Sequence, residues 1–215
     1  QMITSVLKGA TSEGLGASSS LRGVLRNRVV GDGIFLGNVE AEGEMDSITD
    51  GSEQIVRVLL DTTDNNPIWL QAWGGPNTIS RALKTIQEEQ PEKMEYVANK
   101  IRFFFIWEQD STYQAYIRPN WGKYNIPTII CDQFWAIAYQ WNKILPEDKR
   151  AFFESKWMTG NILEGHGALC SLYKAPVPGS RGLSGDTLFN VGDFRSEGDS
   201  PAFLHNIPTG LRNME

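Results

Sequence analysis

Apolar positions recur along this chain with two alternating periods. Between residues 52 and 60 they fall at Ile55, Val56, Val58, Leu59 and Leu60, which predicts a helix. Residues 68–73 form a short, mostly apolar run that ends in Gly74-Gly75-Pro76-Asn77, so a strand and a tight loop are expected there. Ile79, Ala82, Leu83 and Ile86 stand at i, i+3, i+4 and i+7, one face of a helix over 78–88. A further helix opens at Pro91 and carries Met94, Val97 and Ala98. Residues 101–107 read as a buried strand, 111–117 as a helix and 128–131 as a strand. Helices are expected over 133–143 and 146–157, the second with proline at its start and acid in its first turn. The fold class is therefore α/β, a mostly parallel sheet with helices on both faces, in a single domain over 1–215. The flanks are less regular. Residues 2–7 read as a short amphipathic helix and 15–20 as strand-like. Residues 22–50 are rich first in glycine (Gly31, Gly33, Gly37, Gly43) and then in acid (Glu40, Glu42, Glu44, Asp46, Asp50), the pattern of a long surface loop. Residues 160–213 are loop-rich, with one short helix near 201–206.

Ligands of open α/β sheets bind beyond the carboxyl ends of the strands. Four polar segments follow strands here: Ser18-Ser19-Ser20, Trp73-Gly74-Gly75-Pro76-Asn77-Thr78, Glu108-Gln109-Asp110 and Cys131-Asp132-Gln133. They converge on one rim, which makes Asn77, Gln109, Asp110 and Asp132 the candidate substrate-binding residues. His166 and Glu197, in later loops, are the candidate catalytic groups. Trp73 and Trp107 belong to the same rim by position, as sugar-stacking faces or as core. A phosphate ligand would require Arg or Lys in these loops, and they hold none. A neutral glycoside suits the rim better than a nucleotide.

Composition narrows the choice. With 215 residues the chain can bury roughly 70% of its unfolded surface and needs no staples. Seven Trp, six Tyr and ten Phe are a heavy aromatic load, suited to a core plus a site that stacks on flat ligands. The net charge of −6 argues against a nucleic-acid partner, which requires a basic face. No apolar run approaches a membrane span. Cys131 and Cys170 make neither a disulfide framework nor a four-cysteine zinc site. Residues 1–10 lack the pattern of a signal peptide.

Several motifs carry less than they promise. The glycine spacing of Gly31-Asp32-Gly33-Ile34-Phe35-Leu36-Gly37 misses the dinucleotide fingerprint, and no Walker A sequence exists. Gly198-Asp199-Ser200 matches a serine-esterase signature, but His166 and His205 sit in no esterase block. The stretch 40–50 lacks EF-hand spacing. Asn77 or Thr78 reads equally as the N-cap of an ordinary strand-to-helix turn, and Asp199 as a carboxylate at the start of a helix.

In order along the chain, Glu13-Gly14-Leu15-Gly16-Ala17-Ser18-Ser19-Ser20, Asp50-Gly51-Ser52, Trp73-Gly74-Gly75-Pro76-Asn77-Thr78, Gln109-Asp110-Ser111-Thr112, Gly165-His166-Gly167-Ala168-Leu169 and Glu197-Gly198-Asp199-Ser200-Pro201 resemble the motifs of a nucleoside-hydrolase-like family often labelled cellulose-binding protein. The resemblance implies a nucleoside-hydrolase-like sheet and a glycoside hydrolase in which a divalent cation activates water at an anomeric carbon. The alternative is a non-catalytic, cellulose-like carbohydrate-binding domain. The implied cofactor is calcium or another divalent cation, with the carbonyl of Thr78 and the carboxylate of Asp199 as ligands. The implied partner is a sugar-containing small molecule or polysaccharide, with neither nucleic acid nor membrane, and an oligomer is left open. An extracellular or periplasmic parent protein is implied as well. The family's aspartate cluster belongs immediately before the first helix, and Gln1 falls just after that point. The expectation is a first strand, with the general base and most metal ligands, that is absent from these residues.

Overall fold

The computed structural model describes residues 35–132, 140–168, 170, 190, 192–194, 201–202 and 205. They fall into two compact units. One holds the residues up to Asp132 together with those from Pro201 onward; the other holds those between.

The first unit is built on helix α1 (Asp50–Leu60), strand β1 (Ile68–Ala72), helix α2 (Asn77–Glu89), helix α3 (Met94–Lys100), strand β2 (Ile101–Ile106) and strand β3 (Thr128–Cys131). A π-helical turn, Tyr113–Ile117, runs into helix α4 (Arg118–Trp121) between β2 and β3. The three strands form one parallel sheet in the order β1-β2-β3. Leu70 pairs with Phe103 and Ala72 with Phe105, and Phe103 in turn pairs with Thr128. Side chains alternate across a strand. Ile68, Leu70, Ala72, Ile101, Phe103 and Phe105 therefore share one face and pack with Leu59 of α1, Leu83 of α2 and Val97 of α3 in a single core. The opposite face carries Trp69, Gln71 and Phe104. The His205 ring lies 4.9 Å from Trp69 and 5.1 Å from Phe104, and Gln71 Nε2 donates to the Ala202 carbonyl at 2.8 Å. Ala202 and His205 are helical, so helices cover both faces, as the alternating pattern predicts.

β2 shows why a parallel strand reads as a continuous apolar run: it is covered on both faces, and only Arg102 is not fully buried. The run ends one residue before expectation. Trp107 leaves the strand with φ 56°, in the left-handed region, while its N–H still donates to the Cys131 carbonyl at 2.9 Å.

Three expectations change. Residues 111–117 form a π-helical turn from Tyr113, not a full α-helix. The helix expected over 146–157 is two short ones in the second unit, α6 (Glu147–Arg150) and α7 (Ser155–Met158), which follow α5 (Trp141–Ile144). The break occurs where Phe153 offers its carbonyl to the Phe194 N–H at 2.7 Å. Asp193 Oδ1 caps the restart by accepting from Ser155 N at 2.9 Å. Distant groups, one backbone and one side chain, thus replace the helix ladder. The third change is residues 35–49. They are no free surface loop, because Gly37 and Asn38 are buried between the N-termini of α1 and α2. The segments expected over 2–7, 15–20 and 133–139 lie outside the described residues.

Candidate functional site

The threading of residues 36–38 explains two glycines. Gly51 N donates to the Leu36 carbonyl at 2.8 Å, and a Cβ on Gly51 would stand 2.8 Å from that same oxygen. A Cβ on Gly37 would stand 2.5 Å from Thr78 Oγ1. Both positions require close backbone approach. Gly37 therefore serves packing, and the Asp50-Gly51-Ser52 motif has a physical reason for its glycine. Thr49 caps α1 by accepting from Ser52 N at 3.2 Å, and Ser52 Oγ accepts from Thr49 N at 2.9 Å, a reciprocal box.

Asn77 and Asp110 meet beneath the carboxyl ends of β1 and β2. Pro76 precedes α2 and offers no side-chain cap. Asp110, from the next loop, takes that role: its Oδ2 accepts from Asn77 N at 3.1 Å, and its Oδ1 accepts from Thr112 N and Thr112 Oγ1 at 2.8 and 2.6 Å. A carboxylate at a helix N-terminus is favoured by the dipole. The Asn77 side chain gives both amide hydrogens to backbone, one to the Asn38 carbonyl at 2.9 Å and one to the Glu44 carbonyl at 2.8 Å. Thr78 Oγ1 accepts from Asn38 N at 2.9 Å. As the second residue of α2, Thr78 directs its carbonyl along the helix axis toward the amide four residues on. Asn77, Thr78 and Asp110 are all buried. Together they fasten the acidic loop over the sheet edge.

Glu44 holds that loop from within. Its carboxylate accepts from Asn38 Nδ2 at 2.9 Å and from the amides of Ser47 and Asp46 at 2.7 and 2.8 Å. The Asn38 bond, with the two amides, holds its carboxyl below the ordinary glutamate value against the opposing effect of burial. A depressed folded-state value stabilises the loop at higher pH, and that contribution is lost as pH falls through it. We expect hydrogen exchange at the Asp46 and Ser47 amides to accelerate on acidification into and below the ordinary glutamate range. Glu44→Gln should make that exchange fast at neutral pH and flatten its pH dependence. Arg81 and Lys84 of α2 complete the clamp, through the Asp46 carbonyl at 3.4 Å and the Asp46 carboxylate at 2.7 Å.

Above this buried layer lies an exposed one. Trp107 is 47% exposed, and Gln109 and Asp132 are exposed. Gln109 Nε2 donates to the carbonyls of Trp73 and Ile106 at 3.0 and 2.8 Å, bridging the ends of β1 and β2. Glu108 accepts from Gln114 at 2.6 Å. Trp73 is half-buried, with Nε1 donating to Gln71 Oε1 at 3.1 Å. The rim expected at the strand ends is thus two layers, with Asn77 and Asp110 below and Trp107, Gln109 and Asp132 above.

Residues 20–215 match the family described as Cellulose-binding Sde182, nucleoside hydrolase-like domain. The chain belongs to this family. Among solved structures, this nucleoside hydrolase-like domain is similar to a nucleoside hydrolase-related hypothetical protein from Saccharophagus degradans that is associated with carbohydrate metabolism. The two are 24% identical with a TM-score of 0.48, over 75% of this chain and 31% of that one. The domain thus spans about a third of that protein's length. No curated protein matches it.

The other expected site residues belong to the second unit or lie outside the described residues. His166 belongs to the second unit, between Gly165 and Gly167, both at positive φ. It is exposed, with Nε2 3.0 Å from the Gly160 carbonyl. Glu197, Asp199 and Ser18 to Ser20 lie outside the described residues. Among the described residues no group of three or more His, Cys, Asp or Glu could hold a metal ion. Of the expected cation ligands only Thr78 is described, and its carbonyl serves the α2 ladder. The described residues therefore do not fit a divalent cation on their own. The sequence reading missed Asn38 and Glu44; their one signal was a glycine followed by polar residues in a stretch otherwise read as solvated.

Proposed function

We propose that this domain binds the flat face of a neutral glycan at the carboxyl edge of its sheet, with Trp107 as the stacking platform. Trp107 carries the reading. A large indole is held half in solvent, in a backbone conformation disfavoured for bulky residues, at the end of the central strand. Such strain persists where the surroundings impose it, and it concentrates at ligand sites. The side chains around it are acceptors and amides: Glu108, Gln109 and Asp132. A sugar suits an apolar face beside convergent polar groups. The strand-end loops contain no Lys or Arg, which disfavours phosphates. The cellulose-binding description of the family supports a β-linked glucan as the ligand.

Hydrolysis is the second reading, favoured by the nucleoside hydrolase-like character of the family. It would draw on His166 and Glu197 for catalysis, and on Thr78 and Asp199 for calcium or another divalent cation.

Titration of the protein with cellohexaose, followed by calorimetry, tests the proposal. Saturable heat with cello-oligosaccharides and none with nucleotides is the expected result. Absence of heat with a panel of neutral oligosaccharides would overturn it. Reducing-end assays with calcium and with a chelator separate binding from hydrolysis.

A further inference from the structure

A cavity of about 310 Å³ lies at the amino end of β3, the opposite end of the strand from the rim. Tyr113 gives it a partly exposed aromatic wall, with the buried rings of Phe103 and Trp121 behind it, and Arg118, Asn125 and Thr128 contribute polar groups. Its volume is at the small end of the range for ligand pockets, room for a single substituted ring. Its wall includes the π-helical turn Tyr113–Ile117, a local geometry that concentrates at functional sites.

The stretch of chain that forms most of its wall carries positive charge. Between Ser111 and Cys131 there is no Asp or Glu, while Arg118 and Lys123 are present, in a chain of net charge −6. Arg118 is exposed and donates one Nη1–H to Gln114 Oε1 at 3.1 Å, and Gln114 Nε2 in turn donates to Glu108, which reaches Arg118 only through that neutral side chain. Among the described residues no carboxylate pairs with it. Behind the wall, Trp121 Nε1 donates to Tyr116 Oη at 3.3 Å, and Tyr116 Oη donates to Gln87 Oε1 at 2.7 Å. Burial pushes the Tyr116 phenol up to about 12, so it stays neutral and supplies no counter-charge. The Asn125 side-chain amide has no hydrogen-bond partner among the described residues. Its backbone is left-handed, with φ 52° and ψ 44°.

We propose that this cavity is a second binding site, for a small ring that bears a carboxylate. The guanidinium of Arg118 takes the carboxylate, since its planar donor fork matches carboxylate geometry. Tyr113 packs against the ring, with Phe103 and Trp121 forming the floor behind it, and Asn125 hydrogen-bonds a ring substituent. Neutral sugars belong to the Trp107 rim; this site selects for charge, and it rests on different residues. The same chemistry comes from two sources, a sugar acid or an aromatic acid.

Titrations of the whole chain with glucuronate, benzoate, glucose and phenol test the proposal, followed by tryptophan fluorescence and by NMR shifts. One acid should saturate, with its neutral counterpart at least tenfold weaker. Shifts should centre on Trp121 and Asn125 and leave Trp107 unmoved. Saturation by glucuronate identifies a sugar acid, and saturation by benzoate an aromatic one. Arg118→Gln, an exposed change, should weaken the acid about tenfold, the loss expected for one charge-assisted contact. It should not alter cello-oligosaccharide binding. The proposal fails if neither acid saturates by roughly 10 mM, a very weak affinity. It fails equally if the neutral rings shift Trp121 and Asn125 as strongly as the acids, if Arg118→Gln keeps full affinity for the acid, or if the acid's shifts fall on Trp107.

Discussion

Asn77→Ala is expected to destabilise the first unit by about 3 kcal/mol, the sum of one buried and one partly buried carbonyl left without donors at roughly 1–3 kcal/mol each. The acceptors are the Asn38 and Glu44 carbonyls, which take the two Asn77 amide hydrogens at 2.9 and 2.8 Å. Asn77 is fully buried, so water cannot replace the lost donors without opening the loop. The Asn77 backbone N–H is unaffected and still reaches Asp110. The damage should therefore concentrate in residues 38–49 and leave α2 folded. Urea unfolding gives the magnitude, and hydrogen exchange gives the place. Asn77→Asp should behave almost as badly, because a carboxylate donates nothing and sets a negative charge against two carbonyl oxygens. Asn77→Ala within about 0.5 kcal/mol of wild type, the range of an ordinary surface substitution, would show that the loop is held by its other contacts, those of Glu44, Thr78, Arg81 and Lys84.

This role for Asn77 was out of reach of the sequence, and the reason is physical. Its partners lie 39 and 33 residues away, and each is a backbone carbonyl, which carries no residue identity. What could be read was periodic. The i, i+3, i+4, i+7 stripe of α2 and the apolar run of β2 each follow from one face or two faces buried against a core. The alternation of the two patterns was enough for a parallel α/β sheet. The strand-end loops followed from that topology. Their layering did not, because it depends on which polar side chain is spent on the fold. Asp110 shows the difficulty: a loop aspartate after a strand reads as a ligand group, yet here it caps α2 in place of Pro76. The broken helix near Phe153 failed for a related reason. The groups that interrupt it, the Asp193 carboxylate and the Phe194 N–H, come from some forty residues on.

Trp107 separates function from stability, since its two costs have opposite signs. The left-handed conformation costs a non-glycine residue roughly 1–2 kcal/mol, and glycine would relieve that. Against this stand the contacts of an indole that is 47% exposed and the extra backbone freedom of glycine in the unfolded chain. These contributions nearly cancel, so Trp107→Gly should leave unfolding free energy within about 1 kcal/mol of wild type. Its backbone N–H keeps the bond to the Cys131 carbonyl, so the ends of β2 and β3 stay joined. Glycan affinity should respond differently. A stacking platform at the centre of a site behaves as a hot spot, and its truncation costs about 2 kcal/mol or more, tenfold or beyond in Kd. Trp107→Phe keeps a flat ring and should fall between the two. Calorimetry with cellohexaose, run beside urea unfolding of the same variants, reads both quantities. Unchanged affinity in a Trp107→Gly protein that unfolds like wild type would remove Trp107 from the site and, with it, the observation on which the glycan reading stands.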